Sequence, residues 1–128
     1  MIAKVVLIVD DEPDAADIGS TLLRHHGYEV LVATSGEEAL MIAKQRCPDL
    51  IVMDVMLPGV DGWTTTARLK GSTETAGIPV LVTTVRATRP DRETSFEAGA
   101  DSHLVKPVEP SRLLEEVVRF IGTPGSAA

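Results

Sequence analysis

Oxygen ligands and one ammonium group hold most of the chemistry this sequence offers. Asp10, Asp11 and Glu12 stand together, Asp54 stands alone, Thr83 and Thr84 form a hydroxyl pair, and Lys106 precedes Pro107. Each group directly follows a short apolar run: Val5 to Val9, Leu50 to Met53, Pro79 to Val82 and His103 to Val105. Carboxylates gathered from two such runs repel each other unless a cation offsets them. Mg²⁺ suits the task, because it is hard, wants oxygen in near-octahedral geometry, and is commonly held by one or two carboxylates with water and phosphate. Another divalent such as Mn²⁺ would meet the same donors. With no His or Cys beside these acids, zinc and copper are disfavoured. A carboxylate that accepts a phosphoryl group gives a reason to hold such an ion, since aspartyl phosphates are established covalent intermediates. Transfer of that group is mostly positioning and charge stabilisation. Lys106, a compact charge on a flexible stem, can pair with a phosphoryl oxygen, and Thr84 can donate a hydrogen bond to another.

The elements that would bring these residues together are legible in the hydropathy. Continuous β-branched runs read as strands buried on both faces, which parallel sheets require. A fifth run, Tyr28 to Ala33, partly alternates. Between the runs lie helical patterns. Ala15, Ile18, Leu22 and Leu23 follow Pro13 at helical spacing, and the pattern stops near Gly27. Ser35-Gly36-Glu37-Glu38 predicts a capping box, with Glu38 reaching back to the cap. Trp63 to Lys70 follows the turn residues Pro58, Gly59, Asp61 and Gly62. Arg89 to Ala98 stops at Gly99, and Glu109 to Ile121 carries an apolar stripe of Leu113, Leu114, Val117, Val118 and Ile121. Five strand-helix repeats predict an α/β fold, a five-stranded parallel sheet with helices on both faces. Sites in such sheets form beyond the carboxyl ends of the strands, which is where the acids, the hydroxyl and the ammonium fall.

Taken singly, these residues have plainer readings. Asp11 reads as the N-cap of the first helix, with Pro13 in its first turn. Asp54 reads as a turn former before Pro58, Thr84 as an ordinary strand end, and Lys106 as a solvated lysine. His103 reads as a partly buried filler, Trp63 as packing at the start of its helix, and Arg86, Arg89 and Arg92 as solvated. Cys47, just before Pro48, reads as a buried or half-buried thiol without chemistry.

Composition bounds the rest. The 128 residues are 44% hydrophobic and 24% charged, so one globular domain with one core is expected. Residues 1–122 would form it, and the Gly/Pro/Ser-containing segment 123–128 would be a frayed end or the start of a linker. Nineteen acidic against 12 basic residues give a net charge of −7, which argues against direct nucleic-acid binding. One cysteine excludes an intramolecular disulfide and a Cys-based metal cluster. No apolar run spans a membrane, and the segment Met1 to Val9 is too short for a signal peptide, so a cytoplasmic protein is expected.

The ordered set resembles the receiver domain of bacterial two-component response regulators. It comprises Asp10-Asp11, Asp54 with Met56-Leu57-Pro58-Gly59 and Asp61-Gly62 behind it, Thr84, and Lys106-Pro107. The resemblance covers Lys4 to Ile121. It implies the flavodoxin-like doubly wound (βα)5 fold with strand order 2-1-3-4-5. It implies that Asp54 is the phosphoacceptor, that Asp11 binds Mg²⁺ directly and Asp10 mainly through water, and that the Met56 backbone carbonyl is a further ligand. Lys106 would contact the phosphoryl group and precede a cis bond to Pro107. The family places its switch hydroxyl about 30 residues after the acceptor and about 22 before the lysine, which Thr84 meets and Thr83 does not. His103 occupies the switch aromatic position. The implied partners are a sensor histidine kinase or phosphotransfer domain and a downstream effector or output domain, read through the Arg89 to Ile121 face. Homodimerisation through the last helices is compatible with this. The domain would catalyse its own phosphorylation and dephosphorylation while acting mainly as a signalling switch.

Two departures from the family pattern stand out. The residue after the switch threonine, usually small, is Val85, and Met56 and Arg86 hold the positions that tune the lifetime of the acyl phosphate. A long-lived phosphorylated state is expected. A pseudo-receiver that binds partners without phosphorylation is the alternative; the retained Asp10, Asp11, Asp54, Thr84 and Lys106 argue against it, and Val85 keeps it open. A haloacid-dehalogenase-type phosphatase ranks lower, because Asp10-Asp11 is not its Asp-x-Asp motif and the chain lacks room for a cap domain.

Overall fold

Valine and isoleucine are stiff at χ1 and suit a pleated, buried surface, and they dominate the strands. The computed structural model describes residues 3–124. Its elements are β1 (Val5–Val9), α1 (Pro13–His25), β2 (Glu29–Ala33), α2 (Gly36–Arg46), β3 (Leu50–Asp54), α3 (Gly62–Lys70), β4 (Val80–Thr84), α4 (Arg89–Glu97), β5 (Ser102–Val105) and α5 (Pro110–Ile121). Every strand pairing is parallel, and the order is β2-β1-β3-β4-β5. The sheet is thus doubly wound in the flavodoxin-like order.

The period of two along each strand divides the interior into two cores, where one had been expected. Leu7, Val9, Ile51, Met53, Val80 and Val82 meet Ala39 and Ala43 of α2 and Leu69 of α3. Val6, Ile8, Leu50, Val52 and Leu81 meet Ala16 and Leu23 of α1 and Leu113 and Val117 of α5. Strands β3 and β4 are buried along their whole length. Asp54, Thr83 and Thr84 therefore lie inside the strands they were expected to follow.

Helix starts differ in detail from the sequence expectation. The N-cap of α1 is Glu12, with no side-chain cap, so the reading of Asp11 as the cap is corrected. Pro13, at the first helical position, has no N–H to leave unpaired there, and its fixed φ suits the helix start. Ser35 does cap α2, accepting from the Glu38 N–H at 3.2 Å, but Glu38 reaches back to the Thr34 N–H, one residue before the cap, at 2.7 Å. The full capping box lies at α4, between Thr88 and Asp91. Cys47 is also corrected: its thiol is exposed. It sits in the left-handed region (φ 43°) at the end of α2, where Pro48 prevents the helix from continuing.

The far end of the sheet is tied down. The Tyr28 hydroxyl donates to the Gly122 carbonyl at 2.7 Å, and Lys4 Nζ donates to the Ile121 carbonyl. Of the expected terminal segment 123–128, residues 125–128 lie outside the described residues. Among the described residues, no helix is long and apolar enough to cross a membrane.

Candidate functional site

The parallel ladder runs one residue past the strand ends. The Asp10 N–H donates to the Ala33 carbonyl at 3.0 Å, Val55 to Thr83 at 3.1 Å, and Lys106 to Thr84 at 2.8 Å. Beyond these bonds the chain must turn, and three polar side chains turn it in the same way. Asp10 Oδ1 accepts the Glu12 N–H at 2.9 Å, Asp54 Oδ1 accepts the Met56 N–H at 3.0 Å, and Thr84 Oγ1 accepts the Arg86 N–H at 3.1 Å. Short Asp and Thr side chains bond the backbone two residues on, which is their ordinary use in turns. The turn-forming reading of Asp54 and its place in a site are therefore the same geometry, since the turn leaves Oδ2 free.

That free oxygen meets Lys106. Its Nζ lies 3.2 Å from Asp54 Oδ2 and 3.2 Å from Asp10 Oδ2, bridging the two carboxylates. Asp10 and Asp54 are buried, while Asp11 is exposed. One oxygen from each of the three acids lies within 4.8 Å of the others. Burial pushes the Asp54 carboxyl above the usual carboxylate range, and the Asp10 charge adds to this; the Met56 N–H and the Lys106 ammonium offset only part. Burial alone would lower Lys106, but the Asp54 and Asp10 carboxylates outweigh it, so the ammonium is held above its ordinary value. The cluster is all-oxygen and short of positive charge, with its oxygens drawn from the turn after β1 and the end of β3. Such a donor set fits a hard divalent ion such as Mg²⁺.

The neighbouring residues are placed as follows. Lys106-Pro107 is a cis peptide bond. Met56 is exposed, two residues past Asp54. Thr84 is fully buried, and Val85 projects outward at 67% exposure. Val85, Ile18, Pro107 and Val108 line an apolar cleft of about 470 Å³, with Asp10 and Lys106 also on its wall. Gly62 packs on the acid's own backbone: a Cβ there would stand 2.1 Å from the Asp54 carbonyl oxygen. His103 is buried rather than partly buried, with Nε2 3.0 Å from the Arg86 carbonyl and Nδ1 2.8 Å from Ser95 Oγ. The Trp63 indole donates to the same Ser95 oxygen at 2.9 Å, and the Arg86 guanidinium lies 5.5 Å over the Trp63 ring.

Sequence reasoning named Asp10, Asp11, Asp54 and Lys106, and the fold brings these together. It passed over Ser95 and took Gly62 only as a turn residue. A lone serine within a helix carries no pattern. Gly62, by contrast, follows an Asp at the start of an expected helix, a signal that close backbone approach could have explained.

A family model described as the response regulator receiver domain matches residues 6–118. Protein PilH of Pseudomonas aeruginosa is 35% identical over 88% of this chain and 93% of its own length. The DNA-binding dual master transcriptional regulator RpaA of Synechocystis is 41% identical over 88% of this chain and 46% of its own length. The chain spans about half the length of several curated relatives it matches. The receiver domain of the sensor histidine kinase PA1611 from Pseudomonas aeruginosa, solved with a magnesium ion in its active-site cleft, superposes with a TM-score of 0.87. It is 30% identical, covering 95% of this chain and all of that one.

Proposed function

The chain belongs to the response regulator receiver domains of two-component signalling, and on that premise we propose that Asp54 is the residue phosphorylated. The donor is the phosphohistidine of a sensor kinase or phosphotransfer domain. An Asp54 carboxylate oxygen attacks phosphorus in line, the P–N bond breaks, and the imidazole leaves. The observation that supports this best is the Lys106 ammonium bridging Asp10 and Asp54 at 3.2 Å each, beside three clustered acids at the ends of two strands. On transfer, Lys106 exchanges its contact with Asp54 for one with a phosphoryl oxygen. Thr84 gives up the Arg86 N–H and turns its hydroxyl to another. Asp10, Asp11, Asp54 and the Met56 carbonyl would hold Mg²⁺ (or Mn²⁺). When bound, the ion supplies positive charge to the acceptor and phosphoryl oxygens.

The new charge shifts a pre-existing equilibrium between two surface states. His103 reports the shift, and the surface from Arg89 to Ile121 presents it to an effector, an output domain or a second copy. The domain later hydrolyses its own acyl phosphate.

Intact-mass measurement after incubation with candidate kinases and Mg²⁺ tests the assignment. The wild type gains one phosphoryl group and Asp54→Asn gains none. An equal gain in Asp54→Asn refutes Asp54 as acceptor, and no gain in the wild type with any donor favours a phosphorylation-independent module.

A further inference from the structure

Trp63, Ser95 and His103 come from α3, α4 and β5, and a single chain of hydrogen bonds joins them. The direction of that chain follows from what each group can do. The Trp63 indole only donates, so Ser95 Oγ accepts from it at 2.9 Å. The Arg86 carbonyl only accepts, so the nitrogen facing it at 3.0 Å, His103 Nε2, bears the hydrogen. In the neutral imidazole, His103 Nδ1, 2.8 Å from Ser95 Oγ, then accepts the one hydrogen Ser95 has to give. Ser95 is fully buried and His103 nearly so, so neither has water as a substitute partner. The backbone of Arg86 is held at its N–H as well, which donates to Thr84 Oγ1 at 3.1 Å.

We propose that Trp63 and Ser95 are positioning residues that lock the His103 ring inward, as the Nε2–H tautomer, before any phosphoryl group arrives. The proposal deepens the reading of this domain as a phosphorylation switch and rests on it for its meaning, but the lock itself is a property of the unmodified protein. An outward ring gives up the hydrogen bond to the Arg86 carbonyl and leaves the Ser95 hydroxyl hydrogen without its acceptor at a fully buried residue. The resting equilibrium of the β5 surface is thus set by two side chains that do not touch the acceptor carboxylate.

The test uses the full chain with ¹⁵N-labelled histidine and no phosphodonor. The wild type shows His103 as a single Nε2–H tautomer with a hydrogen-bonded Nδ1. Ser95→Ala removes the donor to Nδ1, and Trp63→Phe keeps a ring but removes the indole N–H. In Ser95→Ala the Nδ1 resonance moves toward that of an unbonded nitrogen and the minor form rises roughly fivefold, the factor one ordinary hydrogen bond carries; in Trp63→Phe, where the Ser95 hydroxyl can still donate, the Nδ1 shift is smaller. Ser95→Thr, which keeps the hydroxyl, restores the wild-type signature. His25 and His26, on and beside the end of α1, stay put as internal references. Unchanged His103 resonances in Ser95→Ala overturn the lock, and if Trp63→Phe fails to fold, Ser95→Ala alone decides. Acetyl phosphate with Mg²⁺, read by intact mass, keeps the two ideas apart. Ser95→Ala gains a phosphoryl group as the wild type does, whereas a wild type that gains none removes the phosphorylation reading and leaves the histidine signature to be judged as before.

Discussion

Burial raises the proton affinity of Asp54, and its polar neighbours offset only part of that rise. A carboxyl whose pKa is raised on folding binds its proton more readily in the native state than in the unfolded one. Its contribution to stability is therefore present at low pH and is lost as pH rises through the folded value. Asp54→Asn removes the charge while keeping an oxygen for the Met56 N–H. In buffer free of divalent ions, this variant should unfold at a higher temperature than the wild type at pH 7, with the difference shrinking toward zero near pH 4, where aspartate protonates anyway. A lower unfolding temperature at pH 7 would show instead that the Lys106 pair outweighs burial. The lifetime of the phosphorylated state also belongs to single side chains. Val85 shares the apolar cleft with Lys106, Met56 offers no polar group to orient water, and the Arg86 guanidinium lies over the Trp63 ring. The acyl phosphate should persist for minutes or longer by loss of radiolabel, and Val85→Ala should shorten that time and speed labelling; decay within seconds in the wild type counts against it. At this scale the sequence was most informative where residue type and strand end coincide, as at Asp10, Asp54 and Lys106. It was silent on Ser95, whose importance comes only from what α3 and β5 place against it.

Elements decide how finely those side chains are set. Helix α3 starts hard against the end of β3, because Gly62 has no Cβ to meet the Asp54 carbonyl, and the Gly62 N–H donates to the Val55 carbonyl at 3.0 Å. Alanine usually stabilises a helix relative to glycine by up to about 1 kcal/mol, and less in the first turn. Here its methyl would stand 2.1 Å from the Asp54 carbonyl oxygen and 2.8 Å from the Val55 Cα, both backbone atoms that yield only by moving the loop. Overpacking costs about 1–3 kcal/mol, so the clash outweighs propensity. Gly62→Ala should lower the unfolding temperature by about 4 °C or more and slow Asp54 labelling, since the strain falls on the acceptor's own peptide. A variant as stable as wild type would mean that α3 can slide. Strand and helix positions were readable from hydropathic period, whereas ends depended on local bonding. Hydropathy stops at Met53 because Asp54 is polar, yet the ladder carries Asp54 into β3. The Glu38 side chain chose the Thr34 N–H over that of Ser35, a choice of one residue that no pattern specifies.

At the scale of the whole molecule, the proposed Mg²⁺ site would tie metal binding to global stability. Asp10 and Asp11 follow β1 and Asp54 ends β3, two adjacent interior strands of the sheet, between the two cores. No unfolded chain holds three carboxylate oxygens within 4.8 Å, so an ion that needs them binds the native state almost alone. Mass action then stabilises the fold, by about 2.7 kcal/mol at a concentration 100 times the dissociation constant, or about 10 °C for a domain of this size. Weak binding of Mg²⁺ to the acidic unfolded chain trims this figure. The rise should be largest at neutral pH, where Mg²⁺ also offsets the charge that Asp54 carries against its burial. Asp11→Asn provides the sharp comparison. Asp11 is exposed, so its loss should change metal-free stability by less than about 0.5 kcal/mol, yet it removes one of the three carboxylates proposed to hold the ion and should abolish most of the Mg²⁺-dependent rise. Asp17→Asn, on an exposed position of α1 outside the cluster, should keep the full rise. Equal Mg²⁺ responses in the two variants would mean that the ion acts through general screening of the −7 charge rather than through the three acids.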